Sequence, residues 1–436
     1  MKPARLVAFH LPQFHPIAEN DAWWGEGFTE WTNVRRGRPF FPGHRQPQLP
    51  ASELGFYDLR EDAARAAQGA LARRYGIDAF CYYYYWFGGK RLLERPLEAM
   101  LAGGAPDLPF CLCWANENWT RRWDGKDEEI LIAQRHSPED DVAMIRDLIR
   151  HFGDPRYLRV AGKPLFIVYQ AGLLPDASAS AGRWRDECRR AGIGEIYLCA
   201  VRRFGMPPSE AGFDALIDFP PHGHVAAELG RAMPGLDPAF EGRIFDYRDL
   251  VRDAMSRLPR GRARQPNYPA VMPCWDNTAR KGTRAHVFHG ATPLRYRAWL
   301  AEAIRAAGND ERLAEPMVFI NAWNEWAEGC HLEPDADHGA AWLEATQAAR
   351  LDAARDERLW DRHGTTLPEL PLEAQRRLAG APLEQVLAAL ARSTGDAEIA
   401  PTPRERLVAY LRRRVEPRAA LRRAALPVAK FLGLAD

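Results

Sequence analysis

Glu325 and Glu328 stand three apart in the segment Asn321-Ala-Trp-Asn-Glu-Trp-Ala-Glu-Gly329. Cleaving a glycosidic bond takes two carboxyl groups: one protonates the leaving oxygen, the other supports charge or attack at the sugar. If residues 324–329 form a turn or start a helix, both acids project from one side, with Cβ atoms about 5–6 Å apart. Two acids that close push one pKa upward and keep a proton near neutral pH. Trp323 and Trp326 are expected to floor a sugar subsite, and Gly329 to let backbone approach the ligand. The plainer reading is a first helical turn, where acids favour the dipole.

A second cluster reads Trp114-Ala-Asn-Glu-Asn-Trp-Thr-Arg-Arg-Trp-Asp124. Asn116 and Glu117 suit sugar hydroxyls, which donate and accept at once. Trp119 and Trp123 offer stacking faces. Glu117 is the alternative partner in a cross-barrel acid pair with Glu325 or Glu328, or else an ion-pair partner of Arg121 or Arg122.

The elements around these clusters have a consistent order. Strands are expected at 6–9, 79–86, 110–114, 165–169, 196–201, 215–219, 271–275 and 317–322. Helices are expected near 59–75, 91–103, 138–151, 182–191, 246–257, 293–307 and 339–354. Nearly continuous apolar strands imply burial on both faces, hence a parallel sheet. Eight of them with intervening helices predict a (β/α)8 TIM barrel, whose site lies at the C-terminal ends of the strands. His10, Tyr84, Trp275 and Asn324 fall at such ends. The segment 11–58 is too long for a connector and carries Trp23, Trp24 and Trp31, so it is either a binding lid or a cap. The barrel is expected over 1–358 and a helical C-terminal extension over 359–436. Within the extension, 404–430 holds nine Arg or Lys against two Glu. Such a helix suits peripheral contact with an anionic membrane, or else packs solvated on the barrel.

Bulk properties narrow the class. The net charge of +1 gives no global attraction to nucleic acid. Seven Cys, an odd number set in apolar runs, read as buried thiols of a reducing compartment. The N-terminus lacks the pattern of a signal peptide, and no apolar run is long enough to span a bilayer, so a cytoplasmic location is expected. The pairs His10/His15 and His222/His224 lack the company of a metal site, and no cofactor motif is present. There is no doubly wound nucleotide domain.

Three stretches carry a family likeness. They are 9–33, with Phe9-His-Leu-Pro-Gln-Phe-His15 and Trp23-Trp-Gly-Glu-Gly-Phe-Thr-Glu-Trp31; then 110–125; then 319–329, continued by Leu332-Glu-Pro-Asp335. In these the sequence resembles the glycoside hydrolase family 99-like proteins, also called the WbsX-like glycosyltransferase family, of bacterial polysaccharide clusters. The likeness covers about residues 1–355. It implies a retaining enzyme acting on α-mannoside-like or related linkages of bacterial surface polysaccharide (O-antigen, lipopolysaccharide, capsule) or a lipid-linked precursor. Glu328 is implied as acid/base and Glu325 as base on the neighbouring 2-hydroxyl. Ala327 stands where the mannosidases tend to carry His. Substrate contacts are expected from His10, Asp21, Trp24, Glu30, Trp31, Tyr84, Asn116, Glu117, Trp119, Trp123, Asp124, Trp275, Asn324 and Trp326. A polysaccharide glycosyltransferase and a non-catalytic carbohydrate-binding barrel are the alternatives.

Overall fold

The computed structural model describes residues 1–121, 126–202, 212–258, 265–356, 358–359, 367 and 370–393. The expected barrel is present. Its strands are β1 (Arg5–His10), β2 (Ala79–Phe87), β3 (Phe110–Trp114), β4 (Lys163–Val168), β5 (Tyr197–Arg202), β6 (Ala215–Asp218), β7 (Asn267–Tyr268), β8 (Ala270–Val271) and β9 (Met317–Ile320). They run in the order β7-β6-β5-β4-β3-β2-β1-β9-β8, and every pairing along it is parallel. Strands buried on both faces need apolar residues at every position, which is why these read as unbroken hydrophobic runs rather than alternations.

The ring closes through a single extended stretch. Asn267 and Tyr268 pair with Leu216 and Ile217, whereas Ala270 and Val271 pair with Phe319 and Ile320. Pro269 lies between the pieces and has no N–H to offer, yet its carbonyl still accepts from Phe319 N at 3.0 Å. The expected strand at 271–275 therefore lies further back. Its ladder ends at Val271, and Met272–Trp275 carries the chain to the rim, since Pro273 cannot donate to a ladder.

Outside the strands lie α3 (Asp62–Arg74), α4 (Arg95–Gly103), α5 (Pro138–Phe152), α6 (Ala177–Arg190), α7 (Tyr247–Arg257), α9 (Pro293–Asn309) and α10 (Ala341–Ala353). Four begin on a side-chain cap: Ser137 on α5, Asp176 on α6, Asp246 on α7 and Thr292 on α9. The long segment after β1 holds α1 (Ala18–Trp24) and α2 (Glu30–Arg36), and the short α8 (Thr278–Lys281) follows β8.

The chain divides into a unit from Met1 to Leu383 and a second from Glu384 to Asp436. In the first, the helix Leu372–Ala379 docks on the barrel through Arg297 of α9. That guanidinium is 1% exposed, grips Asp352 of α10 at 2.7 Å and donates to Ala381 O at 2.7 Å. The basic stretch 404–430 lies outside the described residues. Among the described residues no helix is long and apolar enough to cross a membrane. All seven cysteines are free thiols, and all but Cys274 are buried.

Candidate active site

Where β9 ends, the chain leaves the barrel but stays tied to β1. Trp323 N donates to Phe9 O at 2.7 Å. Asn324 then continues the ladder with its side chain: Oδ1 accepts from Leu11 N at 2.7 Å, and Nδ2 donates to Leu11 O at 3.0 Å. Asn324–Glu325 pairs back on Cys330–His331, around a tight turn over Trp326–Glu328. Gly329 closes that turn at φ +55°, in the left-handed region. A Cβ there would sit 2.8 Å from Asp276 O and 2.9 Å from Gln48 Nε2, so this glycine admits protein backbone rather than ligand.

The turn aims both glutamates at one residue. Arg280 Nη2 meets Glu325 Oε2 at 2.8 Å, and its Nη1 meets Glu328 Oε1 at 2.7 Å. Its Nε meets Glu30 Oε2 at 3.2 Å. Three carboxylates thus surround one guanidinium. Burial raises the Glu325 carboxyl above its ordinary range, to about 8; Arg280 opposes this, and Glu328 and Glu30 add to it. Burial likewise raises Glu30 against the pull of Arg280. Arg280 stays firmly cationic, because the three acids outweigh the cost of its burial. The cluster therefore retains a proton near neutral pH.

Arg280 is carried by α8, and Asp276 fixes that helix. Asp276 Oδ1 accepts from Thr278 N at 3.0 Å, and Oδ2 accepts from Gln46 Nε2 at 2.7 Å. His44 Nδ1 accepts from Phe40 N, so its proton is on Nε2, 2.7 Å from Asp276 Oδ2. Burial would raise Asp276, but these donors outweigh it and hold the carboxyl low.

Glu325, Glu328 and Arg280 line an open cavity of about 530 Å3. Tyr83, Tyr169 and Phe219 supply an aromatic layer over Phe9, with ring centroids 4.9 Å apart for Phe9 and Phe219. Trp23, Trp24 and Asn20 enter from the segment after β1, and Trp119 and Glu117 from beyond β3. Asn20 is fully buried, and neither of its amide atoms has a hydrogen-bond partner among the described residues. Such a side chain at a cavity wall is suited to a hydroxyl that both donates and accepts.

Of the expected site residues, Glu325, Glu328, Trp24, Glu117, Trp119 and Trp275 line this cavity, and Glu30 reaches it through Arg280. Glu117 accepts from Gln170 Nε2. Others stand elsewhere. His10 lies within the barrel wall against Gln68, 3.2 Å away, and burial lowers its pKa to about 4. Asp21 accepts from Gly27 N at 2.9 Å and from Phe28 N at 3.2 Å, which shapes the turn between α1 and α2. Trp31 packs on Phe14, Tyr57 and Trp326 and donates to Tyr57 O at 2.8 Å. Tyr84 faces outward, its hydroxyl on Asp147 of α5 at 2.9 Å; its neighbours Tyr83 and Tyr85 face the cavity. Asn116 bridges to the backbone of Gln170. Asn324 serves β1, as described. Trp123 and Asp124 lie outside the described residues.

The segment 11–58 lines the cavity with its α1 side, while Phe14, Trp31, Val34 and Tyr57 pack beneath the turn. Ala327 is part of that packing, so position 327 faces protein rather than the cavity. The residue that sequence reading missed is Arg280, just beyond the noted Trp275-Asp-Asn277. The available signal was chemical: a buried acid pair needs a counter-charge. His222 joins the cavity wall, whereas His224 is held by Asp253 at 3.0 Å. Among the described residues no group of three or more His, Cys, Asp or Glu could hold a metal ion.

Trp323 and Trp326 do not floor the cavity. Both indoles point the other way, onto the fully buried Glu333. Its Oε1 accepts from Trp323 at 2.8 Å and Gln68 at 2.7 Å; its Oε2 accepts from Trp326 at 2.7 Å and Tyr57 at 2.8 Å. Burial pushes Glu333 up from 4.5 to about 7 against these four donors. A raised folded-state pKa means that the folded protein binds more protons than the unfolded chain between those values, so stability falls as pH rises through that window. Relative to a Glu333→Gln variant, which cannot titrate, the natural protein is expected to lose on the order of 2–3 kcal/mol between about pH 4.5 and about pH 7. Urea unfolding at the two pH values measures it; an unchanged difference would refute it.

Comparison with known proteins fits this geometry. Residues 6–346 match the family model described as Glycosyltransferase WbsX. Two proteins of Xanthomonas campestris pv. campestris, from strains B100 and ATCC 33913, each called uncharacterized protein WxcX, are 51% identical over 348 residues, 80% of this chain and 50% of theirs. The chain thus spans about half the length of the curated relatives it matches. Among solved structures, the GH99 endo-alpha-mannosidase from Bacteroides thetaiotaomicron superposes with a TM-score of 0.50 at 16% identity, covering 80% of this chain and 100% of that one. A second structure of it, with bis-tris-propane, gives 0.52 at 15% identity over 81% and 98%. At those identities the likeness is one of fold. Because the family match takes in the barrel and the acid-bearing turn together, this chain belongs to the WbsX glycosyltransferase family of carbohydrate-active enzymes.

Proposed function

We propose that this protein cleaves or transfers glycosidic bonds with retention of configuration, in α-mannoside-like or related linkages of bacterial surface polysaccharide or its lipid-linked precursor. The observation that carries the reading is the acid pair on Arg280 in the cavity wall, where burial of Glu325 raises its carboxyl and so keeps one proton in the pair near neutral pH. That is the count a two-step mechanism needs. Glu328, with a quarter of its side chain open to the cavity, gives the proton to the leaving oxygen. Glu325, ionised once the pair's proton has passed to Glu328, takes the proton of the neighbouring 2-hydroxyl, whose oxygen closes on the anomeric carbon as the glycosidic bond breaks. A water or an acceptor hydroxyl then attacks the anomeric carbon. Glu328 removes its proton, and Glu325 returns the other to the 2-oxygen. Each acid ends as it began.

Asn20 and the Trp23, Trp24 and Trp119 rings supply hydroxyl and stacking contacts for the sugar. The test is proton NMR of the first product formed from α-manno-oligosaccharides and surface-polysaccharide fragments. Release of the retained anomer is expected; the inverted anomer would overturn the mechanism. The transferase reading is favoured by the family's description, and by chemistry in which an acceptor hydroxyl replaces water in the second step. Acceptor-dependent product without free reducing sugar would select it.

A further inference from the structure

A second open cavity, of about 250 Å3, lies at the same rim, between the loop after β1, the exit of β8 and residues 335–338. Trp275 lines both cavities. The rest of the partition is the acid turn's own backbone: Asp276 N donates to Glu328 O at 2.7 Å, and Gly329 packs against Asp276 and Gln48. A ligand at the acids is therefore one side chain away from the second cavity.

The lining chemistry says what it would hold. Its charges are largely paired within the wall. His44 is on Asp276, and His338 Nδ1 is 3.2 Å from Asp335. Arg45 Nη1 lies 2.9 Å from His338 Nε2, which therefore accepts. An anion would seek clustered, uncommitted cations. This wall instead offers mixed donors and acceptors beside the half-buried Phe288, a match for hydroxyls and a sugar's C–H face. We infer that the second cavity is a further saccharide-binding site, holding the part of a glycan chain that runs across Trp275 from the acid pair. The inference rests on the proposed glycosidic reading.

The experiment compares Glu328→Gln with Glu328→Gln/Ala336→Trp, both as the full chain. The probe is an array of bacterial surface-polysaccharide fragments and α-manno-oligosaccharides, graded from single sugars to long chains. Ala336 is exposed on the rim of the second cavity alone, so the indole blocks that cavity and spares the first. Long fragments are expected to bind the double variant about tenfold more weakly, with short ones unaffected. Equal binding at every length overturns this inference alone. No glycan bound by either protein overturns the glycosidic reading and this inference with it. If the tryptophan abolishes binding of short fragments too, Arg45→Ala decides: a loss confined to long fragments supports the site, and no length dependence refutes it.

Discussion

Glu328→Gln is expected to lower glycan cleavage by about 10²–10⁴-fold, the range for losing a positioned general acid, while glycan binding persists. The amide keeps the shape of the carboxyl and its contact with Arg280 Nη1, now 2.7 Å, but has no proton to give. Glu325→Gln should cost a similar factor, and the double variant little more, because residues that act as a unit are not additive. The natural enzyme should also lose activity as pH rises through about 8, where the last proton leaves the pair centred on Glu325. Initial rates on one glycan across pH check both statements. Full activity in Glu328→Gln would remove that residue from the chemistry.

Arg280→Met should cost about 3–5 kcal/mol of stability, the price of stripping the partner from a buried ion network. The loss should depend on pH, and the sign follows from the charges. Without the guanidinium, the buried Glu30 and Glu325 bind their protons still more tightly in the fold than in the unfolded chain. The deficit is therefore small where both are protonated and grows as pH rises. Chemical denaturation in acid and at neutral pH measures this. The same change should move the alkaline limb of any residual activity upward, because the pair keeps its proton to higher pH. Arg280→Lys should recover part of the stability, but one ammonium does not span three carboxylates as a guanidinium does. A variant as stable as the natural protein at neutral pH would mean that Arg280 is not the counter-charge that holds this cluster.

The barrel, its rim and the acid pair were legible in the order of residues. Unbroken apolar runs alternating with helical periodicity specify a parallel sheet wrapped by helices, and Glu-x-x-Glu after the last run specifies two neighbouring carboxyls. Other features depended on phase and on distance. Four consecutive tyrosines fix a two-residue alternation without saying which pair faces inward; the packing of Tyr84 on Asp147 of α5 turns Tyr83 and Tyr85 to the cavity. Trp323 and Trp326 beside an acid pair look like a sugar platform until Glu333 draws both indoles beneath the turn. Arg280 comes from another loop altogether, and only the closing of the ring at Pro269 brings that loop to the glutamates. A sequence encodes local pattern directly, whereas long-range contacts and side-chain facing follow from closure of the barrel, where burying one group commits its neighbours.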